Sequence, residues 1–290
     1  MWARYEPYCP DRHFLTEART HFLDRTWEMR LACVLLDNGF TLLRTSSTGP
    51  DICIDGSPRI WIEATAASGG RGTDRVADRA ARAFTEAERG YSDEELPGID
   101  WHGRPPSEES VILRCTEALD RKSKAYEKYR SEGIIREDEA YIIALSLAGI
   151  EDAFYLFDYD GVPVVLQALF GIGAEHLVLP GLGGGNARLT RPPRPMVRKS
   201  VGAEIAVHAF ASTTHLGISG FLGTCTDIVN APLESGREIM FVNNPNARAP
   251  IEAGTFRFGM EFIASNGEIR RQDHRGERLP VREGPSIRIP

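Results

Sequence analysis

Between Gly49 and Ala66 the chain reads GPDICIDGSPRIWIEATA, and this stretch constrains the fold more than any other. Two short apolar runs flank Asp55-Gly56-Ser57-Pro58, a turn cluster that reverses the chain tightly. The stretch therefore reads as an antiparallel hairpin, DICID paired with RIWIEATA. Side chains alternate along a strand, so Trp61, Glu63 and Thr65 share one face and Ile60, Ile62 and Ala64 the other. The apolar run marks RIWIEATA as buried on both faces. Glu63 is out of place there, because β-propensity disfavours it and a buried charge costs energy unless it is paired.

Asp51 stands at the mouth of the partner strand, where the hairpin brings it close to Glu63. Two adjacent carboxylates repel unless one is protonated or a divalent cation lies between them. Hard oxygen ligands favour Mg²⁺ or Mn²⁺, which keep several waters and take substrate phosphate as a further ligand. The bland alternative has Asp51 capping a turn and Glu63 paired with an arginine.

The elements around the hairpin form a mixed α/β pattern, expected as a central mixed sheet flanked by helices, with a β-rich C-terminal half. Apolar residues at spacings of three to five predict a helix over about 16–38, closed by Asn38-Gly39, and FTLLRTS (40–46) reads as a strand. An alanine-rich polar helix is expected over 73–89 and a long loop over 90–110. A second strong helix follows over 110–132, then a central strand over 140–149. Residues 1–150 are expected to form the core, and residues 151–290 a β-rich region packed on it. In that region PVVLQALFGIG reads as β-like, strands are expected near 217–222, 239–242 and 256–263, and the last two dozen residues read as a loosely packed polar tail.

Glu28 borders the buried stripe of the first helix, beside Trp27, Leu31 and Leu35, and can reach the mouth of the strands. The chain has only four lysines against thirty arginines, and Lys122, Lys124 and Lys128 fall within seven residues. A lysine in such a chain marks a place where a compact ammonium is wanted, or a chance cluster on an exposed helix. On VILRCTEALDRKSKAYEKYR, Cys115, Leu119, Lys122, Tyr126 and Tyr129 fall on one stripe. Glu117, Arg121, Lys124 and Lys128 fall on the solvated side. Lys122 is thus expected to point inward and to meet carboxylates or a phosphate, the alternative being a side chain that snorkels to the surface.

The order of an edge glutamate on a helix, a strand, Gly49-Pro50-Asp51, a strand and Glu63 in IEAT resembles the PD-(D/E)xK, or restriction-endonuclease-like, nuclease superfamily. Pro50, Asp51 and Glu63 match its motif, over roughly residues 15–150. The lysine position two residues after the glutamate is Thr65, and Lys122 lies where a lysine moved to the following helix would stand. The resemblance implies Mg²⁺ (or Mn²⁺) held by Asp51, Glu63 and the carbonyl of Ala64, with Glu28 binding through water or holding a second ion. Lys122 would orient the attacking water. It implies an endonuclease, acting on DNA in preference to RNA, in a defence, restriction or mobile-element setting, with a homodimer left open; the cytoplasmic expectation comes from the unpaired cysteines, which fit a reducing compartment. A silent member of the same fold that binds nucleic acid or a protein partner is the alternative, supported by Thr65. An unrelated α/β protein is a third.

Composition bears on these readings in three ways. A net charge of −7 excludes a general nucleic-acid-coating protein but not a nuclease with an acidic metal site. Five cysteines without a close pair argue against a zinc knuckle and a disulfide framework. No apolar run reaches the length of a membrane span. Arg188, Arg191, Arg194, Arg198 and Lys199 crowd a dozen residues that begin at the end of GLGGGNARL, and Arg188 and Arg191, with Lys124, are candidate contacts to a nucleic-acid backbone. GLGGGNARL lacks the GK[ST] ending of a phosphate loop. His208 and His215 read as structural, and no Ser-His-Asp arrangement is legible.

Overall fold

One mixed β-sheet runs through the molecule, and different helices cover its two faces. The computed structural model describes residues 1–70, 72–76, 107–151, 153, 162–178, 188–228, 231–232, 235–275, 282–283 and 286–289. The helices are α1 (Trp2–Tyr5), α2 (Phe14–Glu17), α3 (Phe22–Asp37), α4 (Glu108–Ser131) and α5 (Val164–Phe170). The first strands are β1 (Leu42–Leu43), β2 (Ile52–Ile54), β3 (Ile60–Ala66) and β4 (Ala140–Ser146). Two small hairpins follow, β5 (His176–Val178) with β6 (Arg188–Thr190), and β7 (Met196–Arg198) with β8 (Glu204–Ala206). The rest are β9 (Gly220–Thr224), β10 (Met240–Asn243), β11 (Met260–Ser265), β12 (Glu268–Asp273), β13 (Arg282–Glu283) and β14 (Ile287–Arg288).

The sheet order is β1-β2-β3-β4-β9-β10-β11-β12-β13, with β14 also on β12. The centre is parallel, β3 to β4 and β4 to β9, and antiparallel pairs flank it. Alternation sorts the core into two layers. Ile62, Ala64, Ile142 and Ala144 pack with Trp27 and Leu31 of α3, while Trp61, Tyr141, Ile143 and Leu145 pack with Val111, Cys115 and Leu119 of α4. Glu63 shares the α4 face. The C-terminal half is β-rich, and its strands β9 to β12 continue the same sheet edge to edge from β4.

α4 starts on Ser107, whose hydroxyl accepts the Ser110 N–H at 3.2 Å. Glu108 and Glu109 fill its first turn and Lys128 and Arg130 its last, each sign matching the helix dipole. These caps fix where the helix begins, and so the phase at which Lys122 meets the sheet.

Four expectations need correction. The helix read over 16–38 divides into α2 and a shorter α3, and the strand read over 40–46 shrinks to two residues. PVVLQALFGIG is helical: Pro163 precedes the first turn, Gly171 ends it in the left-handed region, and all seven residues of α5 are buried. A short run that is apolar on every side carries no period, so helix and strand look alike in sequence. The polar tail begins as β12, paired with β11 from Met260↔Asp273 to Ser265↔Glu268. Most of the helix expected over 73–89 and of the loop expected over 90–110 lies outside the described residues, as does GLGGGNA (181–187). Among the described residues no helix is long and apolar enough to cross a membrane.

Candidate active site

The β2–β3 register pairs Ile52 with Ile62 and Cys53 with Trp61, so the next step sets Asp51 opposite Glu63. The Asp51 carboxylate accepts the Ala64 N–H at 2.8 Å, which locks it beside β3. Glu63 itself is buried, and its two oxygens take different partners. Lys122 Nζ donates to Oε1 at 2.8 Å and the Tyr129 hydroxyl to Oε2 at 3.2 Å. α4 thus lays one stripe of its side chains across the Glu63 face of the sheet. The Tyr141 hydroxyl donates to the Lys122 carbonyl at 3.4 Å and helps to hold that helix in place.

Glu28 comes from α3 on the other layer. It accepts from the buried Tyr5 hydroxyl and, at 2.8 Å, from Arg25. Arg25 also meets Asp11 at 3.1 Å and Glu17.

The three carboxylates feel one another. Asp51 is held well above the ordinary carboxylate range, first by burial, then by the facing charges of Glu63 and Glu28, against the pull of Lys122 and the Ala64 N–H. Glu28 is also raised, chiefly by burial, although Tyr5 and Arg25 oppose the shift and Glu63 adds to it. Burial and Glu63 push the Tyr129 phenol up, so it stays a donor. Three carboxylates against Lys122 and Arg25 leave a surplus of negative charge.

Among the described residues no three acidic, histidine or cysteine side chains converge into a ready-made cation cage. The donor set nevertheless suits Mg²⁺. That ion takes one or two carboxylates, keeps its remaining waters and completes its shell with substrate phosphate. Asp51 and Glu63, with the Ala64 carbonyl next to Glu63 in sequence, are hard oxygens in that number.

The chain matches no protein-family model, no curated protein and no solved structure. The site is read from its geometry.

Other candidate positions fall outside the carboxylate group. Lys124 is exposed, and no described contact ties it to the carboxylates. Arg191 pairs with Glu175 at 2.7 Å, Arg194 with Glu108 at 3.2 Å and Arg198 with Glu204 at 3.0 Å, so this run of cations is largely compensated. The backbone of Arg188 pairs in β6, and its side chain lies outside the described set. His215 meets Ser123 at 3.2 Å and Asp120 at 3.8 Å. The second distance is too long for the orienting hydrogen bond that a serine relay needs.

Several partners were invisible in the sequence. Asp24 accepts from the Ala66 N–H at 2.8 Å and from the Thr65 hydroxyl at 3.3 Å, and Arg121 donates to that hydroxyl at 2.9 Å. Arg121 belongs to the stripe expected to face solvent, yet its long side chain reaches back to the sheet. Tyr5 and Arg25 had no local signal at all. Tyr129 had one, since it shares the Lys122 stripe.

Proposed function

We propose that the chain is a Mg²⁺- or Mn²⁺-dependent endonuclease of restriction-endonuclease-like design, hydrolysing phosphodiester bonds with a preference for DNA. The observation that carries the reading is the meeting of Asp51, Glu63 and Lys122. Two carboxylates from adjacent strands face one another, and an ammonium from a separate helix lies 2.8 Å from one of them. Asp51, Glu63 and the Ala64 carbonyl would hold the cation. Glu28, both of whose oxygens already accept from the protein, would act through water. The cation supplies Lewis-acid polarisation of the phosphate and acidifies a nearby water.

Lys122 supplies what the Thr65 position lacks. From Glu63 its ammonium can orient the attacking water and offset negative charge as it builds on the phosphate. Tyr129 fixes the second Glu63 oxygen, so the carboxylate keeps one orientation. Asp24 and Arg121 tie down Thr65, which leaves that position a structural one.

The second reading, a silent member of the fold that binds nucleic acid or a protein, rests on Thr65 and on the direct Lys122–Glu63 ion pair. A plasmid-nicking assay with Mn²⁺ or Mg²⁺ against EDTA separates the two. Metal-dependent nicking that Lys122→Ala abolishes supports the nuclease. Metal binding without nicking supports the silent fold.

A further inference from the structure

Just past the carboxylates, at the C-terminal end of β3, lies a polar cleft of about 390 Å³. Ala66 to Ser68 form one wall, and Arg114, Glu117, Ala118 and Arg121 form the other. The last four positions share one face of α4, at spacings of three and four. Lys199, in the turn after β7, and Asp74 close the rim.

The floor of the cleft holds a buried cation. Arg114 is only 8% exposed, and its Nε has no hydrogen-bond partner among the described residues. Its Nη1 meets Glu117 at 3.0 Å, a pair with one buried and one exposed partner, since Glu117 is 66% exposed. The guanidinium lies against the backbone of Gly70. A Cβ there would stand 1.7 Å from Nη1, so the glycine makes room for the arginine, and its φ of +83° independently favours glycine. A buried guanidinium with an enclosed, unmet N–H is costly, and an anion against its outer nitrogens offsets that cost. Asp74 is already engaged by the Ser200 N–H at 2.6 Å. The cleft thus sets three cations against two carboxylates, Glu117 beside Arg114 and Asp74 drawn to Lys199 and Arg114, and the balance is positive.

We infer that this cleft binds a phosphate group of a nucleic-acid strand through Arg114, Arg121 and Lys199. A planar fork such as Arg114 suits a phosphate in geometry as well as charge. The inference rests on the nuclease reading for one point, that the same strand also crosses the carboxylates. Arg121 and Lys122 are neighbours on α4, one reaching Thr65 and the other Glu63. Glu63 and Thr65 are two residues apart on β3, about 6.6 Å at the rise of a strand. A phosphate in the cleft would therefore sit beside the one undergoing attack and set the register of the strand. A terminal monoester and an internal diester present the same oxyanion chemistry.

The test is fluorescence anisotropy on the full chain with a 3′-fluorescein single-stranded oligonucleotide, with and without a 5′-phosphate, over a salt series in Ca²⁺. Lys199→Ala should reduce the slope of log K against log salt by about 0.7 and Lys199→Ala/Arg121→Gln by about 1.4, one counterion step per lost phosphate contact. A thermal-shift titration with inorganic phosphate in EDTA should raise the melting temperature of the wild type and do so less in Arg114→Gln. Stronger binding of the 5′-phosphorylated strand, lost in the variants, would assign the cleft to a terminal monoester; equal binding assigns it to an internal diester. Wild-type slopes in both Lys199 variants would overturn the inference, even if the wild type nicks plasmid. A wild type that never cleaves, with variants that still lose slope, would sink the nuclease reading and leave the cleft as a phosphate site.

Discussion

Glu63 and Glu261 are both glutamates buried in strands of the same sheet, and the protein holds them in opposite ways. Glu261, on β11, is fully buried and accepts the backbone N–H groups of Gly254 at 2.9 Å and Phe256 at 3.1 Å. His274 lies 3.2 Å from it. The loop that precedes β11 wraps around this carboxylate as a helix start wraps around an anion. Glu63, on β3, accepts from two side chains and faces two further carboxylates. Burial therefore does not separate the two carboxylates, since both are buried. The distinguishing property is company: Glu261 is held by local backbone donors, whereas Glu63 sits in a surplus of negative charge that protein groups do not cancel.

The largest expected effect tests the Glu63 side of this contrast. Glu63→Gln and Lys122→Ala should each lower plasmid nicking by about 10³-fold or more, equivalent to about 4 kcal/mol of transition-state stabilisation. Lys122→Ala should leave folding and metal binding largely intact, because both carboxylates remain. Lys124→Ala should stay within about twofold of the wild type, as a solvated charge does. Equal losses in the two lysine variants would place the chemistry away from Glu63.

Next in size is the effect expected at Glu261. Glu261→Ala strands two buried backbone donors, so urea unfolding should show a loss of about 3 kcal/mol. Nicking per folded molecule should be unchanged. A variant that folds normally but cannot cleave would erase the distinction between the two glutamates.

This contrast was only half legible in the sequence. Strand period and the Asp55–Pro58 turn were enough to place Asp51 opposite Glu63, and helical phase was enough to turn Lys122 inward. Those are local regularities, and they survive folding. Glu261 offered no such signal, because its donors come from an irregular loop that has no repeating pattern to read. The expected strand over 256–263 ran through that loop. Arg121 shows the limit of phase reasoning: a long side chain can leave the face its Cα occupies. Tyr5, 23 residues from Glu28 in the chain, meets it only because α1 packs on α3.

A smaller effect concerns the cation. If Asp51 and Glu63 hold it, Mn²⁺ at about 100 times its dissociation constant should stabilise the folded wild type by about 2.7 kcal/mol. Asp51→Asn should remove that gain, and Glu261→Gln should keep it. Metal stabilisation that survives Asp51→Asn would place the ion elsewhere.

The smallest effect is also the most direct reading of the surplus charge, and it needs no metal and no substrate. In EDTA, Asp51 is a carboxyl whose folded pKa lies above its unfolded value of about 3.9, through burial first and then the charges of Glu63 and Glu28. Below the unfolded value both states hold the proton, and the residue is neutral in its effect on stability. As pH rises past that value the unfolded chain ionises freely while the folded chain resists, so stability falls until the folded pKa is passed. The amide introduced by Asp51→Asn does not titrate, and its oxygen can still accept the Ala64 N–H. Asp51→Asn should therefore match the wild type at about pH 3.5 and become the more stable protein towards neutrality, by about 1 kcal/mol, the scale of one close like-charge repulsion in a solvated setting. Thermal melts across that range would show two curves separating upward. Curves that separate the other way would mean that ionised Asp51 is stabilised by its surroundings, and the contrast between the two glutamate sites would disappear.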